Sequence, residues 1–234
     1  MKTHSPVEAI VLAGGLGTRL RSVVADLPKP MAPVNGRPFL EWLLRYLKSQ
    51  GVGRFLLSVG YKHEIIVETF GDVFESVPVT YIVETEPLGT GGAVALALRS
   101  CVGDNVLTVN GDTFFPVDIA QLQDIHLRTN AEITLALKYV ADAGRYGAIS
   151  MGTDNIVTAF AEKSRQSNVL INGGIALINR QRFQERQFPD RFSLEQDYLA
   201  KIAAQRLIAG AVFDSYFIDM GTPESYADVC LTFH

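Results

Sequence analysis

Cysteine is scarce in this chain: Cys101 and Cys230 are the only two in 234 residues, and they form no metal-ligand spacing. Both read as small apolar residues of a protein kept in a reducing cytoplasm. Histidine is nearly as rare. His4, His63 and His126 read as solvated and His234 is terminal. None pairs with a Cys or Ser in a nucleophilic pattern, so no covalent catalysis is indicated. Positive charge is not in excess either. A net charge of −4 gives no electrostatic footprint for nucleic acid or an anionic membrane. No apolar run reaches membrane-spanning length, and the opening MKTHSPVEA lacks an apolar targeting core. Internal repeats, low-complexity tracts and linkers are missing as well, so 1–234 reads as one domain. With 47% hydrophobic and 20% charged residues, the chain has the balance of an ordinary globular protein with one core.

What is there is glycine, placed at the ends of apolar runs. Ile10, Val11 and Leu12 form a buried-strand pattern that runs into Ala13, Gly14, Gly15, Gly17, Thr18 and Arg19. Glycines let the backbone turn tightly and expose N–H groups, and an Arg fork matches phosphate oxygens. The loop lacks the Gly-Lys-Ser/Thr close of a P-loop. The dinucleotide pattern fails too, because Leu20 stands where its last small residue belongs. A plain glycine turn between strand and helix is the competing reading.

Along the chain, Arg21–Asn35 is a proline-rich loop holding Lys29 between Pro28 and Pro30. A helix with Pro38 in its first turn carries Leu40, Leu43, Leu44 and Leu47. Strand Arg54–Val59, helix Lys62–Phe70 and strand Val79–Glu84 follow, then the glycine loop EPLGTGGA and a further helix. Strand Val106–Val109 ends in Asn110-Gly111-Asp112, followed by helix Ile119–Leu127 and strand Ile133–Tyr139. This alternation predicts an α/β fold with a doubly wound, mostly parallel, Rossmann-like sheet flanked by helices. After Tyr139 the pattern becomes β-rich. Ala148–Met151 and Ile156–Phe160 form a hairpin, and Val169–Ile178 is a strand interrupted at Asn172-Gly173-Gly174. Leu194–Gln205 is helical, Ala211–Ile218 extended, and Thr222 caps a last helix with Pro223 at its first position.

In such a sheet, ligands sit beyond the carboxyl ends of the strands. Three segments fall there: Gly14–Arg19, Gly89–Gly92 and Asn110–Asp112. Asp112 closes one strand and Asp219 the last extended run. One or two carboxylates together with substrate phosphates is a Mg²⁺ arrangement, although each Asp also suits a turn.

The motifs LAGGLGTRL, LPKPMAPVNGRP, EPLGTGGA, VNGDTFF, FAEK, INGG and YFIDMGTPESY, in that order over essentially the whole chain, resemble the sugar-1-phosphate nucleotidylyltransferases. Within that family, LRSVVADLPKPMAPVNGRPFLEWLL and FDSYFIDMGTPESY are similar to the bacterial guanylyltransferases acting on D-glycero-D-manno-heptose 1-phosphate. The resemblance implies a nucleotide-binding part, 1–139, and a small β-rich sugar-phosphate-binding part with a closing helix, 140–234. It implies that Leu12, Ala13, Gly14, Gly15, Gly17, Thr18 and Arg19 cradle a nucleoside triphosphate, GTP favoured. Pro87, Gly89, Thr90 and Gly91 would lie near its base, with Gly91 and Gly92 permitting close approach. Arg19, Lys29 and Asp112 would be catalytic, and Asp112 and Asp219 would hold Mg²⁺. Gly147, Glu162, Lys163, Asn172 and Gly173 would contact the sugar 1-phosphate. The implied reaction gives GDP-heptose and pyrophosphate in the cytoplasm, with no nucleic-acid or membrane partner and a homodimer left open. Mannose, glucose or N-acetylmuramate 1-phosphate, UTP in place of GTP, and a non-catalytic sugar-nucleotide sensor remain alternatives. The sequence departs from many relatives in having Tyr216 and Phe217 where a Trp often precedes the last Asp, and LGTGG where LGTAG is common.

Overall fold

The computed structural model describes residues 7–233, except residues 16, 18, 19, 21, 22, 25, 143–145 and 162–166. Nine strands carry the architecture. They are β1 (Val7–Leu12), β2 (Val52–Val59), β3 (Val77–Val83), β4 (Asn105–Asn110), β5 (Ile133–Asp142), β6 (Ala148–Met151), β7 (Val157–Ala161), β8 (Ser167–Asn179) and β9 (Ile208–Val212). They lie in the order β7-β6-β8-β4-β1-β2-β3, with the pair Val73–Phe74 at the β3 edge and β5 and β9 joined through β8. Neighbours among β4, β1, β2 and β3 are parallel. These strands are nearly continuous apolar runs because both of their faces are covered. Ala9 and Val11 of β1 point to one core and Ile10 to the other. Helices Phe39–Ser49, His63–Phe70 and Ile119–Thr129 pack on the first face, and Gly89–Leu98 and the turns around Ile202 on the second.

The sheet reverses at β8, which runs antiparallel to β4, β5 and β6. The expected parallel order through Ile133–Tyr139 is therefore corrected: β5 is antiparallel to β8 and parallel only to β9. The interruption expected at Asn172-Gly173-Gly174 is corrected as well. β8 is one 13-residue strand whose register shifts between Asn172 and Ala176. Glycine is required at that bulge. Gly174 adopts φ 75°, and a Cβ on Gly173 would lie 2.4 Å from the Phe115 ring.

Three further expectations change. The extended run Ala211–Ile218 is split: β9 ends at Val212, and Ile218–Asp219 forms a separate two-residue strand. The helix Leu194–Gln205 begins as a π-helical turn, Leu194–Leu199, before Ala200–Ala203 becomes α-helical. His126 is buried rather than solvated, its ring nitrogens 2.8 Å from Thr134 Oγ1 and 3.0 Å from Asn105 Oδ1. Burial, and secondarily the Arg182 guanidinium, lowers its pKa to about 4. The last helix, Pro223–Thr232, starts as expected at Thr222, which forms a reciprocal capping box with Ser225.

Candidate active site

The register of the parallel strands builds the site. Leu12 stands level with Ser58 on one side and Asn110 on the other, and Ser58 stands level with Ile82. The segments that follow these residues therefore all emerge along one carboxyl edge of the sheet. They line a 570 Å³ cleft whose walls include Leu12, Gly14, Gly15, Tyr61, Glu84, Pro87, Gly89, Thr90, Asn110 and Asp112.

Gly14 and Gly15 face this cleft, whereas Ala13 does not. Its side chain is buried, and its N–H donates to Ser58 O at 2.7 Å. A Cβ on Gly14 would stand 2.8 Å from Glu84 Oε1, so the loop and the end of β3 meet at a spot with no room for a side chain. Gly17 has φ +56°, and a Cβ there would sit 2.8 Å from Lys29 Cβ. The loop is thereby laid across the stem of Lys29, whose backbone is set by the 3-10 turn Lys29–Met31. Thr18 and Arg19 lie outside the described residues.

Lys29 links the two carboxylates. Its Nζ donates to Asp112 Oδ2 and lies 3.9 Å from Asp219 Oδ1. The two carboxylates meet because Ile218–Asp219 pairs antiparallel with Thr113–Phe114, and Met220 N–H donates to Asp112 O at 2.9 Å. Tyr146 OH lies 3.5 Å from Asp219 Oδ2. The side chains of Asp112 and Asp219 are 33% and 20% exposed, against 11% for Lys29, so the acceptors open outward and the ammonium lies beneath. Two partly exposed carboxylates gathered around one cation match the hard oxygen donor set that Mg²⁺ takes. Among the described residues, no third His, Cys, Asp or Glu joins them.

The second glycine segment is corrected. Gly89–Gly92 is not a loop but the first turn of helix Gly89–Leu98. Gly89 and Thr90 line the cleft. Gly91 is buried, with its N–H donating to Phe192 O at 3.0 Å, and a Cβ would fall 2.2 Å from the Phe192 ring. Gly92 likewise faces Asp190 O, 2.4 Å from where its Cβ would be. The close approach these glycines permit is to the chain segment 190–192. That segment is held by a buried cluster in which Arg186 pairs with Glu132 and Tyr198 OH donates to Glu132 Oε1 at 2.7 Å. Thr90 Oγ1 accepts the Leu194 N–H at 3.0 Å.

Of the expected sugar-phosphate residues, Glu162 and Lys163 lie outside the described residues, and Gly147 is exposed at the start of β6. Asn172 Nδ2 donates to Glu195 Oε1 at 3.0 Å, and its Oδ1 accepts Gly174 N–H. Gly174 packs on Asn110, which lines the cleft. Gly173 is buried against Phe115. Sequence reasoning passed over Glu84, Tyr61 and Glu195 as site residues. The first two follow strand ends, a signal that had been applied only where glycines or a final Asp marked it.

The family model described as nucleotidyl transferase matches residues 8–234. The chain belongs to this family. Among nucleotidyl transferases, a D-glycero-alpha-D-manno-heptose 1-phosphate guanylyltransferase of Aneurinibacillus thermoaerophilus is 45% identical over 220 residues, 94% of this chain and 95% of that protein. A mannose-1-phosphate guanylyltransferase of Mycobacterium tuberculosis is 35% identical over 97% of this chain, but only 64% of that protein is covered. The crystal structure of HddC from Yersinia pseudotuberculosis complexed with GMP-PN superposes with a TM-score of 0.86 at 36% identity, covering 97% of this chain and all of that one. The α/β fold expected from the alternating strands and helices is thus shared with a solved relative over nearly the whole chain.

Proposed function

We propose that this nucleotidyl transferase moves GMP from GTP to D-glycero-α-D-manno-heptose 1-phosphate, releasing pyrophosphate. The observation that carries the reading is the Lys29–Asp112–Asp219 cluster at the edge of a cleft of nucleotide size. Similarity to the heptose 1-phosphate enzyme along almost its full length favours heptose over mannose. The nucleophile is a phosphate oxygen, ionised at neutral pH, so no general base is required. Catalysis then consists of alignment and charge stabilisation along an in-line path. The glycine loop Gly14–Gly17 gives the triphosphate access to backbone N–H groups, and Arg19 of the same loop adds a bidentate cation. Lys29, held beside the carboxylates and against Gly17, would add positive charge beneath the phosphates. Asp112 and Asp219 would hold Mg²⁺ there, and the ion would supply positive charge against the phosphate oxygens. On the acceptor side, Lys163 would pair with the sugar phosphate, and Glu162, Gly147 and the Asn172–Glu195 pair would meet hydroxyls. No described helix is long and apolar enough to cross a membrane, in keeping with work in the cytoplasm where GTP is supplied.

The test is pyrophosphate release over four nucleotides and a panel of heptose, mannose, glucose and N-acetylmuramate 1-phosphates. Heptose 1-phosphate with GTP should give the highest kcat/KM, and a higher value for another pair would replace the assignment. Asp219→Asn should lower kcat on the order of a hundredfold with melting unchanged. Near-normal turnover in that variant at low Mg²⁺ would return Asp219 to a structural role.

A further inference from the structure

A second cavity, of about 590 Å³, opens beside Asp219 and has no part in the reaction described above. Its size falls within the range of about 300–1,000 Å³ usual for small-molecule sites. Tyr146 and Phe217 line it near Asp219, and Asp228 and Thr232 carry it along helix Pro223–Thr232. From Ser225, another lining residue, to Thr232 the helix rises roughly 10 Å. Two of the rings are held by their hydroxyls. Tyr146 OH lies 3.5 Å from Asp219 Oδ2, and Tyr216 OH donates to Thr232 Oγ1 at 3.2 Å. The Tyr146 ring also meets Phe217 edge-on, with centroids 5.8 Å apart. Tyr216 nevertheless keeps 41% of its surface exposed. A ring fixed at a cavity wall yet left open to solvent is a platform for a ligand. Asp228 is exposed, and among the described residues its carboxylate carries no hydrogen bond or ion pair. No Lys, Arg or His lines the cavity among the described residues, so it suits a neutral, hydroxyl-bearing ligand and not a phosphate.

We infer that this cavity takes the exocyclic diol of the acceptor sugar, with Tyr216 and Asp228 reading it, an assignment that rests on the heptose reading above. Asp219 belongs both to the cavity and to the cluster with Lys29 and Asp112. A sugar whose 1-phosphate lies at that cluster starts its ring beside Asp219 and extends its two-carbon tail toward Asp228. The apolar C–H face of the tail packs on the Tyr216 ring. The Asp228 carboxylate, which only accepts, takes the hydrogens of the C6 and C7 hydroxyls. Mannose keeps a C6 hydroxyl but has no C7, so it leaves one carboxylate oxygen without that bond. A site built to bond a substrate hydroxyl rejects the analogue lacking it more strongly than an apolar pocket does. Thr232 is a positioning residue. Its hydroxyl donates to Asp228 O at 2.8 Å and accepts from Tyr216, which ties the ring to the helix that carries Asp228.

The experiment uses full-length protein, GTP and three acceptors: D-glycero-D-manno-heptose 1-phosphate, its C6 epimer L-glycero-D-manno-heptose 1-phosphate, and mannose 1-phosphate. In the unmodified protein, kcat/KM should be about tenfold lower with either of the last two. In Asp228→Ala and in Tyr216→Ala, the heptose/mannose ratio of kcat/KM should fall about tenfold, toward one. Tyr216→Phe, which keeps the ring, should retain most of the ratio. KM for GTP and the melting temperature should stay as they were in all three variants. Heptose preference in the unmodified protein with an undiminished heptose/mannose ratio in either alanine variant overturns this inference and leaves the proposed function standing. Equal use of the two heptose epimers by the unmodified protein also overturns it, whether or not the variants fold. Preference for mannose, glucose or N-acetylmuramate 1-phosphate overturns the proposed function and this inference with it.

Discussion

Two glycine-rich segments, LAGGLG and LGTGG, look alike in sequence and end at the same edge of the sheet, yet they are used in opposite ways. The first is open. A Cβ on Gly15 would meet nothing within 4 Å, and that residue lines the cleft. The second is closed. Gly91 and Gly92 press against Phe192 and Asp190, and the Gly91 and Gly92 N–H groups are directed at Phe192 O. Phe192 itself stacks on Phe188 with centroids 4.4 Å apart, in a shelf anchored by the Glu132–Arg186 pair. Gly15 in the first segment opens on the cleft, and Gly91 and Gly92 in the second let a helix dock on its own chain. The difference teaches that a glycine run marks a close approach without saying what approaches.

The contrast can be broken at its cover. Phe192→Ala removes a buried ring and should cost about 3–5 kcal/mol of stability by urea titration. A loss below about 1 kcal/mol would mean the shelf does not hold helix Gly89–Leu98. Gly91→Ala should cost about 1–3 kcal/mol, because the new methyl meets a stacked ring that cannot swing aside. Since the nearest atoms the methyl meets all belong to the Phe192 ring, the double variant Phe192→Ala/Gly91→Ala should be less destabilised than the sum of the singles. Additive losses would place the Gly91 effect in the helix backbone instead.

The open segment should respond differently. Gly17→Ala forces a non-glycine residue to φ +56° and against Lys29 Cβ, and it should cost about 1–2 kcal/mol. It should also lower kcat, since Lys29 is displaced from Asp112. A kcat unchanged in a folded Gly17→Ala protein would separate the loop from Lys29. Gly15→Ala should change stability by no more than about 0.5 kcal/mol while raising KM for the nucleotide, as read from initial rates. A stability loss as large as that of Gly91→Ala would erase the distinction between the two segments.

Much of this molecule was legible in one dimension. Val11-Leu12 running into glycines, and Val109-Asn110 running into Asp112, are local signals: an apolar run long enough to be covered on both faces, then residues that stop it. Thr222 with Pro223 is equally local, since capping involves only neighbours in sequence. These patterns, with the order of motifs along the chain, identified the α/β fold and directed attention to Lys29, Asp112 and Asp219.

Tertiary structure decided what lies between the signals. Whether Gly91 faces a ligand or Phe192 depends on a segment some hundred positions later that folds over it, and no local pattern encodes that contact. His126 looked solvated because its helix is amphipathic, but its position abuts Thr134 and Asn105, which burial and hydrogen bonding together accommodate. The antiparallel insertion of β8 escaped alternation counting, because strand direction is set by which edge remains free for pairing. Asp219 reaches Lys29 through two residues of strand paired with Thr113–Phe114, a pairing too short for periodicity to announce. Sequence determined which groups exist and which of them end strands. Only the register of β1, β2, β3 and β4 decided that these ends come level on one edge, because hydrogen-bond pairing between strands is a relation among distant residues.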